Sequence, residues 1–378
     1  MRIILYEIGK LFNWKVIGLL FLLSFLFYQL FLSFHFEYFP NGRPAGDHFK
    51  ITKQMIAKYG PEMNKKEYEN FKKTYEKEVN KADKYVASQE EFANAGITTY
   101  EGFKKFDRPS NPELDNLKAE IIFKKEIDIF WELQARESIM ERYEHFEERT
   151  LTNRYIDNEE WKKEYLNSES RHSILPDYVI ANFSNLISMV GILIVLSVII
   201  VVSRIHIIEY QNNAITLQYT TMEGRNLFKK KLVAAMVTAT MITTVYLGIF
   251  FQLYAQNETS EFFASSLFSF EFNGHYWLDI TFFQYIIASV VGVYLLSFVT
   301  AAISTYLSRV VWSYISLIGS QIPIAVVLIL LIKEYLITRM FGMQYPVYLT
   351  IGTYIGLLLI GGAVLSFRWK KERIIDIV

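Results

Sequence analysis

Residues 178–203 read YVIANFSNLISMVGILIVLSVIIVVS, a run without one formal charge, and Arg204 ends it. A hydrocarbon core of ~30 Å asks for about 20 apolar residues in helical form, because a helix satisfies its own backbone where no water can. Working outward from this run, the same pattern recurs between residues 15 and 37, and over 232–257, 280–308, 310–332 and 340–367. Six such runs predict an all-α membrane protein with six transmembrane helices. The chain then divides into residues 1–36 (an N-terminal helix and the first span), a charged insert over 37–177, and residues 178–378. The last part holds spans two to six and a loop over 204–231.

Apolar residues make up 52% of the chain, yet 21% are charged, because the charge is confined to the insert and the loops. The net charge of zero hides a division. The insert holds 24 basic and 29 acidic residues, leaving 15 basic and 10 acidic residues elsewhere. A mildly acidic insert is no nucleic-acid surface, and the basic remainder suits anionic lipid. Thirteen of those 15 basic residues fall on one side of the implied membrane. Lys333 and Arg339 alone fall on the other, where the loop of Glu258, Glu261, Glu271 and Asp279 has no base. The positive-inside rule therefore places both termini in the cytoplasm and the insert outside a bacterial plasma membrane. The first apolar run has no small-residue cleavage site beside it, so it reads as an uncleaved anchor. With no cysteine, there is no disulfide, thiolate metal site or cysteine nucleophile.

The insert reads as a mainly helical extracytoplasmic domain. Tyr68, Phe71, Tyr75, Val79, Ala82 and Val86 recur at steps of three and four, one apolar stripe on a helix. Asn64 with Glu67 resembles its capping box. A second helix starts at Asn111-Pro112-Glu113, with Asn as N-cap and Pro at the first helical position. Its apolar residues, Leu114 to Ile121, then Ile127 to Leu133, then Ile139 to Phe146, drift around the axis, as expected of one helix that bends or changes partners. Gly96 and residues 107–111 are the expected breaks. Such a domain is expected to fold on its own core. The Lys- and Glu-rich faces, with neighbours such as Glu147-Glu148 and Glu159-Glu160, read as solvated surface.

Reaction chemistry is sparse. The sequence has no phosphate-cradling G-x-x-x-x-G-K-[ST] loop and no H-E-x-x-H or H-x-x-E-H motif. Its six histidines show no metal-ligand spacing, so neither a metal nor a cofactor is expected. No Asp, Glu, Lys or Arg lies within a span away from its ends, which argues against an ion-coupled carrier. Uncharged polar residues do occur there. Asn182, Asn185 and Ser188 share a face of span two, and two readings stand for them: helix packing, or the lining of a translocation cavity. Gly352 and Gly356 form a G-x-x-x-G pair in span six, which reads as helix packing.

Residues 209–225, after span two, read EYQNNAITLQYTTMEGR, and Lys229 to Lys231 follow. Ile207, Tyr210, Ala214 and Leu217 fall on one helical face, opposite Gln211, Asn212 and Gln218. A helix of this kind either seats in a groove of a soluble partner or lies on lipid. The segment resembles the cytoplasmic loop of ATP-binding-cassette type-2 permeases, particularly those with a large external domain between spans one and two. Glu209, Leu217, Thr220, Arg225 and Lys231 stand in the order that those loops show. Asn213-Ala214 replaces the usual Gly-Thr pair, Met222 replaces a Pro, and the Arg-to-Lys spacing is one residue short. The N-terminal Ile3, Ile4, Ile8, Leu11 and Phe12, with Arg2, Lys10 and Lys15, likewise resemble the inner-surface helix leading into span one of such permeases.

The resemblance implies a permease subunit of an exporter that pairs with a second permease subunit, as a homo- or heterodimer, and with separate ATPase subunits. Glu209, Tyr210, Ala214, Leu217, Thr220, Glu223, Arg225 and Lys231 would form the ATPase-coupling set. The implied cargo is amphiphilic: an antimicrobial peptide, a lipid or a lipid-linked glycan. Two other readings stay open. One is a receptor or scaffold resembling phage-infection or type-VII-secretion membrane proteins, which share one span, a large helical exterior and five further spans. The other is a membrane enzyme, which the empty motif search disfavours.

Overall fold

Six helices of the computed structural model are long and apolar enough to cross a membrane. The structure describes residues 2–106, 111–125, 127–145, 161, 163, 166–167, 175–212, 224–270 and 276–374. Among them there is no β-strand, only isolated bridges. A short helix, α1 (Arg2–Leu11), precedes span one, α2 (Trp14–Glu37). The insert then folds as α3 (Arg43–Tyr59), α4 (Lys65–Ala87), α5 (Glu90–Asn94), α6 (Tyr100–Lys105), α7 (Pro112–Phe123) and α8 (Asp128–Glu144). Span two is α9 (Asp177–Val202), continued by α10 (Arg204–Gln211). Spans three to six are α11 (Leu227–Tyr254), α12 (Phe282–Val310), α13 (Tyr314–Leu331) and α14 (Val347–Ile374). The last begins after Pro346, later than the charge-free run from residue 340. Residues 337–346 instead form turns that tie down Trp277, whose indole donates to the Tyr345 carbonyl at 2.8 Å.

Helix α9 is apolar all round and occupies the centre of the bundle. Of its most apolar window 78% is buried, against 17% for span one and 11% for span six. It packs on α11 and α12, and α12 also carries α14. Because lipid is as apolar as leucine, such contacts rely on close approach and on hydrogen bonds between helices. Thr243 donates to Ser297 at 2.8 Å, and Ser24 and Tyr246 share a bond of 2.7 Å. At Gly292 of α12 a Cβ would crowd the Tyr354 hydroxyl and lie 3.1 Å from Ile337 Cδ1 and from Met340 Cε, so these side chains would have to shift to admit it. Gly352 and Gly356 of span six have no such neighbour within 4 Å. Their small-residue face is not used within one chain.

Among its described residues the insert is helical, with two departures from the expected plan. The second helix is two helices, α7 and α8, separated near Lys124, and this break explains the drift of the apolar stripe. Nor does the insert bury one core of its own. Phe49, Ile51, Met55, Tyr68, Phe71 and Ile139 belong to the same apolar core as the spans, whereas Ala82, Val86, Phe92, Phe103, Leu114, Phe130 and Leu133 form a separate distal core. Helix α4 is about 34 Å long at 1.5 Å per residue and reaches from one core to the other. Its start carries the capping box, with the Asn64 side chain accepting from the Glu67 amide and Glu67 accepting from the Asn64 amide. Gly96 follows α5 with φ of +77°, a conformation that glycine adopts without strain. Residues 107–110 lie outside the described residues, as do Phe146, Glu147-Glu148 and Glu159-Glu160.

Helix α3 forms the joint between the insert and the spans. Its Phe49 ring stacks on Phe262 at 5.4 Å, beyond the end of span three. Lys53 reaches Glu258 at 2.8 Å and Glu261 at 3.1 Å in that same loop. Tyr178 at the start of span two donates to the Ala45 carbonyl at 2.9 Å.

Candidate functional site

The residues singled out around the loop converge on α10, the extension of span two. Its Ile205, His206, Ile207 and Glu209 are buried, because the helix continues into the bundle instead of leaving it. Glu209 and Lys231 form a direct ion pair, and Lys231, wholly buried, also donates to the Ile205 carbonyl at 2.9 Å. Lys10 of α1 meets the other Glu209 oxygen at 3.0 Å and Glu7 at 3.1 Å, while Glu7 lies 3.8 Å from Lys231. Two carboxylates and two ammonium groups thus balance one another. Burial by itself would lower the Lys10 pKa, but the hydrogen bond and charge of Glu209, then those of Glu7, hold it above the ordinary lysine value.

A second cluster holds α10 through the neighbouring Tyr210 and His206. The Tyr210 hydroxyl donates to the Arg309 carbonyl at 2.9 Å and accepts from the Arg309 guanidinium, which also lies over its ring at 5.4 Å. Arg309 makes a two-pronged contact with Glu372 of α14, at 2.7 and 3.1 Å. Arg368 meets the same carboxylate at 2.6 Å. The His206 amide donates to Ser308 at 3.0 Å, and Tyr210 stacks on Trp312 at 5.8 Å. Four of the eight residues of α10, Ile205, His206, Glu209 and Tyr210, are therefore tied to α1, α11 and α12, and Arg309 carries the link on to α14. Such buried pairs are worth little against apolar replacements, but removing one partner typically costs ~3–5 kcal/mol, since a charge is left buried. The arrangement makes α10 a rigid element that cannot shift without disturbing four helices.

Of the coupling set, the structure brings Glu209, Tyr210 and Lys231 together. Ala214, Leu217, Thr220 and Glu223 lie outside the described residues, and so does the Arg225 side chain, although its backbone forms a 3-10 turn over Gly224–Asn226. The described half of the expected amphipathic face points inward. Ile207 is fully buried, and Tyr210 is occupied by Arg309 and Trp312. Sequence reasoning missed Glu7, Ser308, Arg309, Arg368 and Glu372 as partners. Their only signal was a position at the ends of apolar runs, which says nothing of pairing.

The span-two polar residues sit at the far end of the bundle. Asn182 is buried, donates to the His35 carbonyl at 3.0 Å and accepts from Asn257 at 2.8 Å, tying spans one, two and three. Ser188 is buried and donates to the Asn185 carbonyl at 2.8 Å. The Asn182 amide has the partners that a packing role requires. Among the described residues, no group of three or more His, Asp or Glu is placed to hold a metal ion.

Comparisons with protein-family models, with curated proteins and with solved structures found no match for this chain.

Proposed function

We propose that this chain is the permease subunit of an ATP-binding-cassette exporter, worked by a separate ATPase subunit and paired with a second permease subunit. The observation that supports it best is the clamp on α10. The segment resembling the coupling loop of type-2 permeases, residues 209–225, starts in the last turn of α10, so a force applied to it acts first on a helix bonded to α1, α11 and α12 and, through Arg309, linked to α14. ATP-driven closure of the ATPases would push residues 213–223. The buried ion pairs would carry the push to α1, α11, α12 and α14 instead of letting α10 fold away. In this reading both termini are cytoplasmic, the insert lies outside a bacterial plasma membrane, and the cargo is amphiphilic.

The test uses the full-length chain purified from its native membrane in mild detergent. An ATPase subunit should co-purify, and Leu217→Asp, which puts a charge where the sequence pattern expects an apolar anchor, should insert normally yet lose it. A burial of that kind typically costs ~2–4 kcal/mol of binding. Equal recovery of the ATPase by both proteins would remove Leu217 from the interface. No ATPase in either preparation would remove the exporter reading.

A further inference from the structure

The end of the bundle that holds α1, α10 and the start of α11 has three acids among its described residues, Glu7, Glu209 and Glu372. All three are buried in the ion pairs above. Among the described residues, the exposed charges at this end are Arg2, Lys15, Lys229, Lys370 and Lys371, every one of them basic. Among the described residues the surface is thus more positive than a count of them suggests, because these three acids are spent inside. Three of the six tryptophans stand at this same end with their rings exposed: Trp14 at the start of span one, Trp312 between spans four and five, and Trp369 near the end of span six. They are 78%, 78% and 40% exposed and come from three different spans or their connections. Indole rings settle at the level of lipid headgroups, where one end is apolar and the other wet. Helix α1 adds Leu5 and Tyr6, exposed on the face turned away from its buried Glu7 and Leu11.

We propose that these bases and tryptophans together make a binding surface for anionic phospholipid headgroups. An acidic protein surface would satisfy the bases alone. It would leave Leu5, Tyr6, Trp14 and Trp312 in water, whereas a lipid interface takes both kinds of side chain at one depth. The inference stands apart from the exporter reading, since it needs no ATPase. It also gives α1 a second role. Lys15 lies 5.8 Å over the Trp14 ring at the lipid side, while Lys10 is bound to Glu209 at the protein side. Helix α1 therefore connects the charge of the membrane surface to the α10 clamp.

The experiment places the purified full-length protein in phosphatidylcholine vesicles. These contain an equal mole fraction of either brominated phosphatidylglycerol or brominated phosphatidylcholine, and tryptophan emission is followed. The brominated anionic lipid should quench more strongly, with a relative binding constant of about three or more at low ionic strength, falling toward one at high salt. Replacing all five bases by Gln should abolish the preference while both lipids still quench. Lys15→Gln with Lys371→Gln should lower it part of the way, which keeps the test open should the fivefold variant fold poorly. Trp14→Phe with Trp312→Phe should remove most of the selective quenching. Equal quenching of the native protein by the two lipids would overturn the proposal, and so would a preference that survives loss of the bases. Equal quenching together with salt-sensitive capture of an acidic protein would assign the bases to that partner instead.

Discussion

Changing Lys231 to Met would remove one of two cations from a buried group of four charges and leave Glu7 and Glu209 facing Lys10 alone. Lys231 is fully buried and Glu209 nearly so, so little water reaches the uncompensated carboxylate. Breaking a buried pair from one side typically costs ~3–5 kcal/mol, and because Lys10 still holds one Glu209 oxygen, the lower end, about 3 kcal/mol, applies. Glu209→Gln leaves a net positive charge in the same place and should cost a similar amount. The double variant, Lys231→Met with Glu209→Gln, is neutral again, with Glu7 and Lys10 still paired. Its cost should therefore be about 1–2 kcal/mol, far below the sum of the single costs. The assay is equilibrium unfolding of the four full-length proteins in mixed micelles of mild detergent and dodecyl sulfate. Single and double effects that add to within about 0.5 kcal/mol would refute the pairing, because residues that do not interact are additive at that level.

The joint between insert and spans should weaken in acid. His48 of α3 is buried with Nδ1 3.4 Å from the Tyr178 hydroxyl, whose proton is given to Ala45, so Nδ1 carries the hydrogen and Nε2 is a buried lone pair without a partner among the described residues. Burial, and then the charge of Arg142, lowers its pKa from 6.5 to about 3. The unfolded chain therefore takes up the proton first. Stability is complete above pH 6.5 and falls with pH down to about 3, by roughly 2 kcal/mol already at pH 5. Unfolding at pH 7 and pH 5 should show this loss in the native protein and not in His48→Gln. Gly292→Val would drive methyl groups into Ile337, Met340 and Tyr354, and should lower stability by ~1–3 kcal/mol in the same assay, whereas Gly352→Val should have little effect. Single cysteines are simple to place in a chain that has none. Ser88→Cys should react with an impermeant maleimide in whole cells and Gln211→Cys only after permeabilisation; the reverse pattern would invert the orientation.

The six spans and the helical insert were legible because their signals are local. A charge-free run of membrane length, a capping box at Asn64 and Glu67, or a stripe from Tyr68 to Val86 needs only residues a few positions apart. The lengths of residues 178–203 and of α9 agree because a helix at 1.5 Å per residue has one way to cross a given thickness. Even there, the strength of the pattern was no guide to what it packs on. Tyr68 and Phe71 belong to the same stripe as Ala82 and Val86, yet the first pair joins the core of the spans and the second a distal one.

By itself, then, the sequence determined the helical class, the number of helices long and apolar enough to cross a membrane and the imbalance of charge between the two ends of the bundle. These follow from transfer energies and backbone geometry, which act residue by residue. Only the tertiary structure decided which charges meet. Lys10 and Glu209 are 199 positions apart and Arg309 and Glu372 are 63 apart, and nothing in the spacing of either pair distinguishes a buried partner from a solvated neighbour. A carboxylate at the end of a span reads the same whether it faces water or an ammonium group. It was the packing of α1, α11, α12 and α14 around α10 that withdrew the water and turned residues counted for orientation into the clamp on span two.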